Sequence, residues 1–191
     1  GLRTEVDSAG RRHAQGKKID QVLADATGSQ GRPVDMVSLV RVDDRLLHGQ
    51  IICAWVPFMK ADMLIVASDE AASDSIVSDI ISSCGHRGLG VQVKSLKDAV
   101  SYLEGAAAEK VILILGDLAD AMRVYELGLR FGSINLGNIH HEENGRRMTP
   151  SVIVNDDDVC VMDRLHSLGV KVVIQDVPAS LPREYSPAGK A

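Results

Sequence analysis

The chain has 191 residues, 45% hydrophobic and 25% charged, with a formal net charge of −5. That size and balance suit one globular domain with its own core. Two Phe, three Tyr and one Trp leave little stacking surface for single-stranded nucleic acid, and the acidic balance argues against a polyanion binder, so no nucleic-acid partner is expected. No apolar run approaches the ~20 residues that cross a bilayer. Charges at Arg3, Glu5, Asp7, Arg11 and Arg12 leave no signal peptide visible. Cys53, Cys84 and Cys160, without C-x-x-C spacing, suit reduced, buried thiols in a cytoplasmic protein.

Residues 1–35 are glycine-dotted, with scattered charge and few apolar positions, and are expected to be a flexible tail or linker. The ordered pattern, and with it a domain spanning 36–191, begins at Met36, itself a candidate translational start. Val37 to Val42 reads as a strand, followed by a polar loop and a helix over Gln50 to Phe58. Met63 to Ala67 is a second strand. A helix over Ser73 to Cys84 places Ile76, Ile80 and Ile81 on one face. Val91 to Lys94 is a short strand, and Ser95 opens a helix through Leu103. Lys110 to Leu115 is the most continuous apolar segment and predicts a central strand buried on both faces. Leu118 to Leu129 has helical spacing. Ser133 to Leu136 and Ser151 to Val154 are short strands with a hairpin-like turn at Gly145 between them. Asp156 caps a helix to Leu168, and Val170 to Ile174 is the last long strand. The alternation predicts an α/β single domain, a mostly parallel central sheet with helices on both faces.

In such sheets ligands bind at the carboxyl ends of the strands, near a switch in strand order. The first such loop reads Arg41-Val42-Asp43-Asp44-Arg45-Leu46-Leu47-His48-Gly49-Gln50, highly charged for a segment that follows an apolar strand. Neither G-x-G-x-x-G nor G-x-x-x-x-G-K-[ST] occurs, which removes the main support for a nucleotide site. The loop's parts suit phosphoryl transfer through histidine. A neutral imidazole is a nucleophile, and the P–N bond it forms stays activated for onward transfer. The reaction asks mainly for positioning and charge stabilisation. His48 is the candidate acceptor and Arg45 the guanidinium able to fork onto phosphoryl oxygens. Gly49 permits close backbone approach, and N–H groups from Gly49 and Gln50 at the helix start can receive an anion. Arg41, Asp43 and Asp44 are candidates for orienting the loop, both acids pointing sideways from the phosphate, and Asn135 is expected nearby.

The same stretch resembles the signature R-[IV]-D-D-R-L-[IL]-H-G-Q of the IIB components of the mannose/fructose/sorbose family of the bacterial sugar phosphotransferase system, and Trp55 follows at that family's usual interval. Similar segments are Ile65-Val66-Ala67-Ser68-Asp69-Glu70, Ile134-Asn135-Leu136-Gly137-Asn138-Ile139-His140, Leu168-Gly169-Val170-Lys171 and Gln175-Asp176-Val177-Pro178. The resemblance covers residues 36–180. It implies a protein-N(pi)-phosphohistidine–sugar phosphotransferase: His48 takes a phosphoryl group from a IIA phosphohistidine, on Nδ1, and passes it to a sugar held by membrane IIC and IID proteins. Arg45 then steadies the group, no cofactor or metal is needed, and the protein works in the cytoplasm with transient visits to the inner face of the membrane. Whether it acts as a monomer or a homodimer is open. Two positions depart from the family pattern. Asn138 stands where a second glycine is usual, and Gly116-Asp117 puts an acid in a loop that is often polar or basic.

Other constellations carry less. His140-His141-Glu142-Glu143 lacks H-E-x-x-H, and adjacent turn residues diverge rather than converge on a metal. His86 beside Cys84 has no further ligands. G-x-S-x-G is absent, and Asp156-Asp157-Asp158 lacks calcium-loop spacing and reads as a helix start. A regulatory IIB-like protein that signals by its phosphorylation state is the alternative function; a binding domain without enzymology is a third.

Overall fold

In a computed structural model of the chain, residues 37–86, 88–105, 110–141 and 145–187 are described. The expectations for 1–35 and Met36 lie outside the described residues. Among the described residues nine strands form one sheet: β1 (Val37–Asp43), β2 (Met63–Ala67), β3 (Gly90–Lys94), β4 (Val111–Leu115), β5 (Ser133–His140), β6 (Arg146–Arg147), β7 (Val152–Val154), β8 (Lys171–Ile174) and β9 (Arg183–Glu184). The order is β3-β2-β4-β1-β5, after which β5 pairs with both β8 and β7. Pairings through this main body are parallel; the short β6 and β9 pair antiparallel with β7 and β8. As its sequence predicts, β4 is interior, flanked by β1 and β2, and every residue in it is buried.

Six helices among the described residues cover the sheet. α1 begins as a π-helical turn over Ile51–Trp55 and continues as α-helix over Val56–Met59. The others are α2 (Asp69–Ser73), α3 (Ser75–Ser82), α4 (Leu96–Gly105), α5 (Leu118–Glu126) and α6 (Asp156–Ser167). Strand alternation sorts the core into two layers. Leu39, Ile112 and Ile114 pack with Ile51, Trp55, Ala71 and Ile81 of α1–α3. Val40, Val42, Leu113 and Leu115 pack with Ala99, Leu103, Leu118, Val124, Met162 and Leu165 of α4–α6. The chain leaves β1 past β4 to reach β2, and leaves β4 past β1 to reach β5. With α1 and α5 on opposite faces, the carboxyl end of β1 is a topological switch point, where a crevice opens.

Several local expectations are corrected. The helix read over Ser73 to Cys84 spans Ser75–Ser82, capped by an extended Asp74 (φ −98°, ψ 106°) whose carboxylate accepts from the N–H groups of Ile76 and Val77, and a separate short helix, Asp69–Ser73, precedes it. Ile81 is buried, while Ile76 and Ile80, one helical turn apart on a different face, are 71% and 62% exposed, so the three do not share one face. The helix at Asp156 is capped one residue earlier, by Asn155 in a reciprocal capping box with Asp158. β5 runs on to His140 rather than ending at Leu136. The cysteines are free thiols but all exposed, not buried. No helix among the described residues is long and apolar enough to cross a membrane.

Candidate functional site

Alternation along β1 points Leu39, Arg41 and Asp43 to the α1 face, so a guanidinium and a carboxylate two residues apart become neighbours. Both side chains are fully buried, with Arg41 Nη2 2.8 Å from Asp43 Oδ2. A charge removed from water persists only when paired and hydrogen-bonded. Arg41 meets that demand at its two Nη atoms, though not at its buried Nε: Nη1 donates to Asn135 Oδ1 (2.5 Å) and to the Gln175 carbonyl (3.2 Å), and Nη2 donates also to the Asp176 carbonyl (3.2 Å). Its Cζ lies 5.2 Å from the ring centroid of Trp55, whose Nε1 donates to the same Asp176 carbonyl at 3.1 Å. Burial lowers the Arg41 pKa and the Asp43 charge opposes that shift. Gly137 on β5 lies against this group, and a Cβ there would overlap the Arg41 guanidinium.

Asp43 passes the order outward. Its Oδ2 also meets His48 Nε2 at 3.0 Å, and its Oδ1 accepts from Arg45 Nε at 3.2 Å and Arg45 N at 3.3 Å. Burial pushes the Asp43 carboxyl up, but the His48 hydrogen bond, the Arg41 charge and hydrogen bond, and the Arg45 hydrogen bond together hold it below its ordinary value. An ionised carboxylate can only accept, so His48 donates from Nε2 and the neutral ring keeps its lone pair on Nδ1.

The backbone makes this geometry by reversing at Leu46, a left-handed residue (φ 54°) whose N–H donates to the Asp43 carbonyl at 2.9 Å. That conformation is sparsely populated for a leucine and persists where surroundings enforce it. It brings His48 back over Asp43 while leaving the imidazole side chain 19% exposed. Arg45 is half-exposed, with its Nη2 3.5 Å from Gln50 Oε1. Gly49 faces open space, so nothing in the fold itself requires a glycine there.

Thus His48, Arg45, Arg41, Asp43 and Gln50 converge, and Asn135 joins them through Arg41. Asp44 turns aside onto β5. Its N–H donates to the Asn138 carbonyl (3.1 Å), and its carboxylate accepts from Asn138 Nδ2 and from the His140 backbone N–H (3.0 Å). His140 Nδ1 lies 3.3 Å from the same carboxylate. Asn138 and His140 are site neighbours that the loop motif does not reveal; in sequence they stand out only in the segment Ile134 to His140 and the run of histidines and acids that follows it. Asp117 is occupied in capping α5, its Oδ1 accepting from Asp120 N at 2.7 Å. His140 and His141 diverge, the latter to Asp158 at 2.9 Å. Among the described residues no group of three or more His, Cys, Asp or Glu could hold a metal ion.

A family model described as "PTS system sorbose subfamily IIB component" matches residues 37–188. The N-acetylgalactosamine-specific phosphotransferase enzyme IIB component 2 of Escherichia coli is 29% identical over 143 residues, 74% of this chain and 91% of that protein. The mannose-specific EIIAB component of the same species is 25% identical over 144 residues, 74% of this chain but 45% of the longer relative. The crystal structure of the E. coli N-acetylgalactosamine-specific IIB component 1 superposes with a TM-score of 0.74 at 28% identity, covering 78% of this chain and 99% of that one.

Proposed function

The chain belongs to the sorbose subfamily of phosphotransferase-system IIB components, which are phosphocarriers in sugar uptake, and from this premise we propose that His48 carries the phosphoryl group, on Nδ1. The observation that carries this reading is the hydrogen bond from His48 Nε2 to a fully buried, ionised Asp43. It fixes the ring and leaves the other nitrogen as the nucleophile. The Nδ1 lone pair attacks phosphorus on a IIA phosphohistidine; the donor's P–N bond breaks and its imidazole departs with the electron pair. In the second half, a sugar hydroxyl held by IIC and IID attacks phosphorus, the His48 P–N bond breaks, and the hydroxyl loses its proton. The protein acts in this scheme as a protein-N(pi)-phosphohistidine–sugar phosphotransferase, working in the cytoplasm and docking transiently at the membrane. The relatives named above are sugar-specific phosphotransferase components, which favours the carrier over a purely regulatory phosphoprotein.

Arg45 steadies the travelling group, since its half-exposed guanidinium can exchange a 3.5 Å bond to Gln50 for phosphoryl oxygens. Incubation with phosphoenolpyruvate, the two general phosphotransferase proteins and a IIA should place an acid-labile, base-stable phosphate on the chain. Mapping by mass spectrometry under alkaline conditions should find it on His48; a label on any other residue overturns the assignment. Arg45→Lys keeps the charge but loses the fork. Its transfer rate should fall on the order of 10-fold, less than the roughly 10²–10³ that loss of an entire charge-stabilising donor costs, with its melting temperature unchanged. Equal rates would remove the role given to Arg45.

A further inference from the structure

We propose that Asn138 and His140, at the end of β5, are positioning residues that hold the root of the phosphoacceptor loop through Asp44; the inference rests on the reading of His48 as acceptor. Asp44 is the first residue past β1, where the pairing of β1 with β5 shifts register between Val42 and Asp43. Regular sheet bonding no longer dictates the chain's direction there, and the loop leaves carrying Arg45 and His48. What sets its direction is a set of bonds to β5. The Asp44 N–H donates to the Asn138 carbonyl at 3.1 Å. Its carboxylate receives Asn138 Nδ2 on one oxygen and the His140 backbone N–H on the other, at 3.0 Å.

Asn138 is 4% exposed, and a buried amide must find partners for its hydrogens. Both are used here, because Nδ2 also lies 2.9 Å from His140 Nδ1. There Nδ1 accepts, so Asn138 Nδ2 ties Asp44 to the His140 ring, and the His140 backbone N–H closes the circuit on the Asp44 carboxylate. Asp44 adjoins Asp43 in sequence, and Asp43 holds both His48 and Arg45. Releasing Asp44 frees the peptide between the two acids and lets the loop root swing. Arg45 and His48 then lose their common aim at one phosphorus. Neither Asn138 nor His140 touches the reacting atoms; both act through Asp44. Phosphoryl transfer is sensitive to such displacement, since misplacement by ~1 Å can cost on the order of 100-fold.

The test measures phosphotransfer from phosphorylated IIA in the reconstituted system, comparing Asn138→Ala, His140→Ala and His140→Asn with wild type. The two alanine variants should lower the maximal transfer rate by about 10-fold, while KM for phospho-IIA stays within about 2-fold. His140→Asn, whose carboxamide oxygen can accept from Asn138 Nδ2 in place of Nδ1, should recover most of the rate. Unchanged rates in His140→Ala, or a loss confined to KM that His140→Asn does not repair, would overturn the proposal. Should the buried Asn138→Ala fail to fold, the two variants of the exposed His140 decide alone. Wild type labelled elsewhere than on His48 would instead defeat the acceptor assignment, a result read before any variant is compared.

Discussion

His48→Ala should take up no phosphoryl group in the reconstituted system, a loss of more than roughly 10⁴-fold of the kind that follows removal of a covalent nucleophile. The fold should survive it. The ring is partly exposed, and Asp43 keeps its bonds to Arg41 and Arg45 when the imidazole is gone. One hydrogen bond to a charged group is lost, worth about 1–2 kcal/mol, or a few degrees in melting temperature. His48→Gln separates the two roles, because a carboxamide N–H can still meet the Asp43 carboxylate but cannot form a stable P–N bond. It should regain the lost stability and none of the transfer. Label persisting on either variant would mean that another residue is the carrier.

Gly137→Ala is expected to be the most destabilising single-methyl change near the site. A Cβ at this position would overlap the Arg41 guanidinium, which cannot move aside without leaving Asp43, Asn135 and two backbone carbonyls. Breaking such a buried pair costs about 3–5 kcal/mol, to be measured by chemical denaturation against wild type. A change below about 1 kcal/mol would show that Arg41 has room to retreat. The same ion pair predicts an acid limb in stability. The folded-state pKa of Asp43 is depressed, so its contribution is fully present above the unfolded carboxylate value of ~3.9. That contribution disappears as pH falls through the folded value. Asp43→Asn should be less stable near neutrality and should flatten this limb, in a thermal-unfolding series from about pH 7 to about pH 3.

The acceptor loop was legible because its chemistry is local. An imidazole, a guanidinium and a glycine fall within five residues, after a strand whose β-branched pattern is plain. The alternating layers were legible for the same reason, since Val40 and Val42 against Leu39 and Arg41 is a period of two. Arg41 shows where local reading stops: alternation puts it on an interior face, but its partners Asn135, Gln175 and Asp176 lie far along the chain. The tie between Asp44 and Asn138 spans 94 residues and depends on β1 lying beside β5. The short helix before Asp74 escaped because its five residues, Asp69–Ser73, are too few to show a helical period. β9 is two residues long and carries no periodicity at all.

Arg41 and Arg45 grip the same carboxylate from opposite sides, one walled off from solvent and the other half in water. This is a division of labour. The inner cation is an anchor whose release would strand a naked charge in the interior. The outer one is already hydrated and loosely tethered, and can let go of its resting contacts at little cost. A shuttle that must both receive and surrender its cargo benefits from that asymmetry: its frame is immobile, and only the hand that meets the passenger opens and closes.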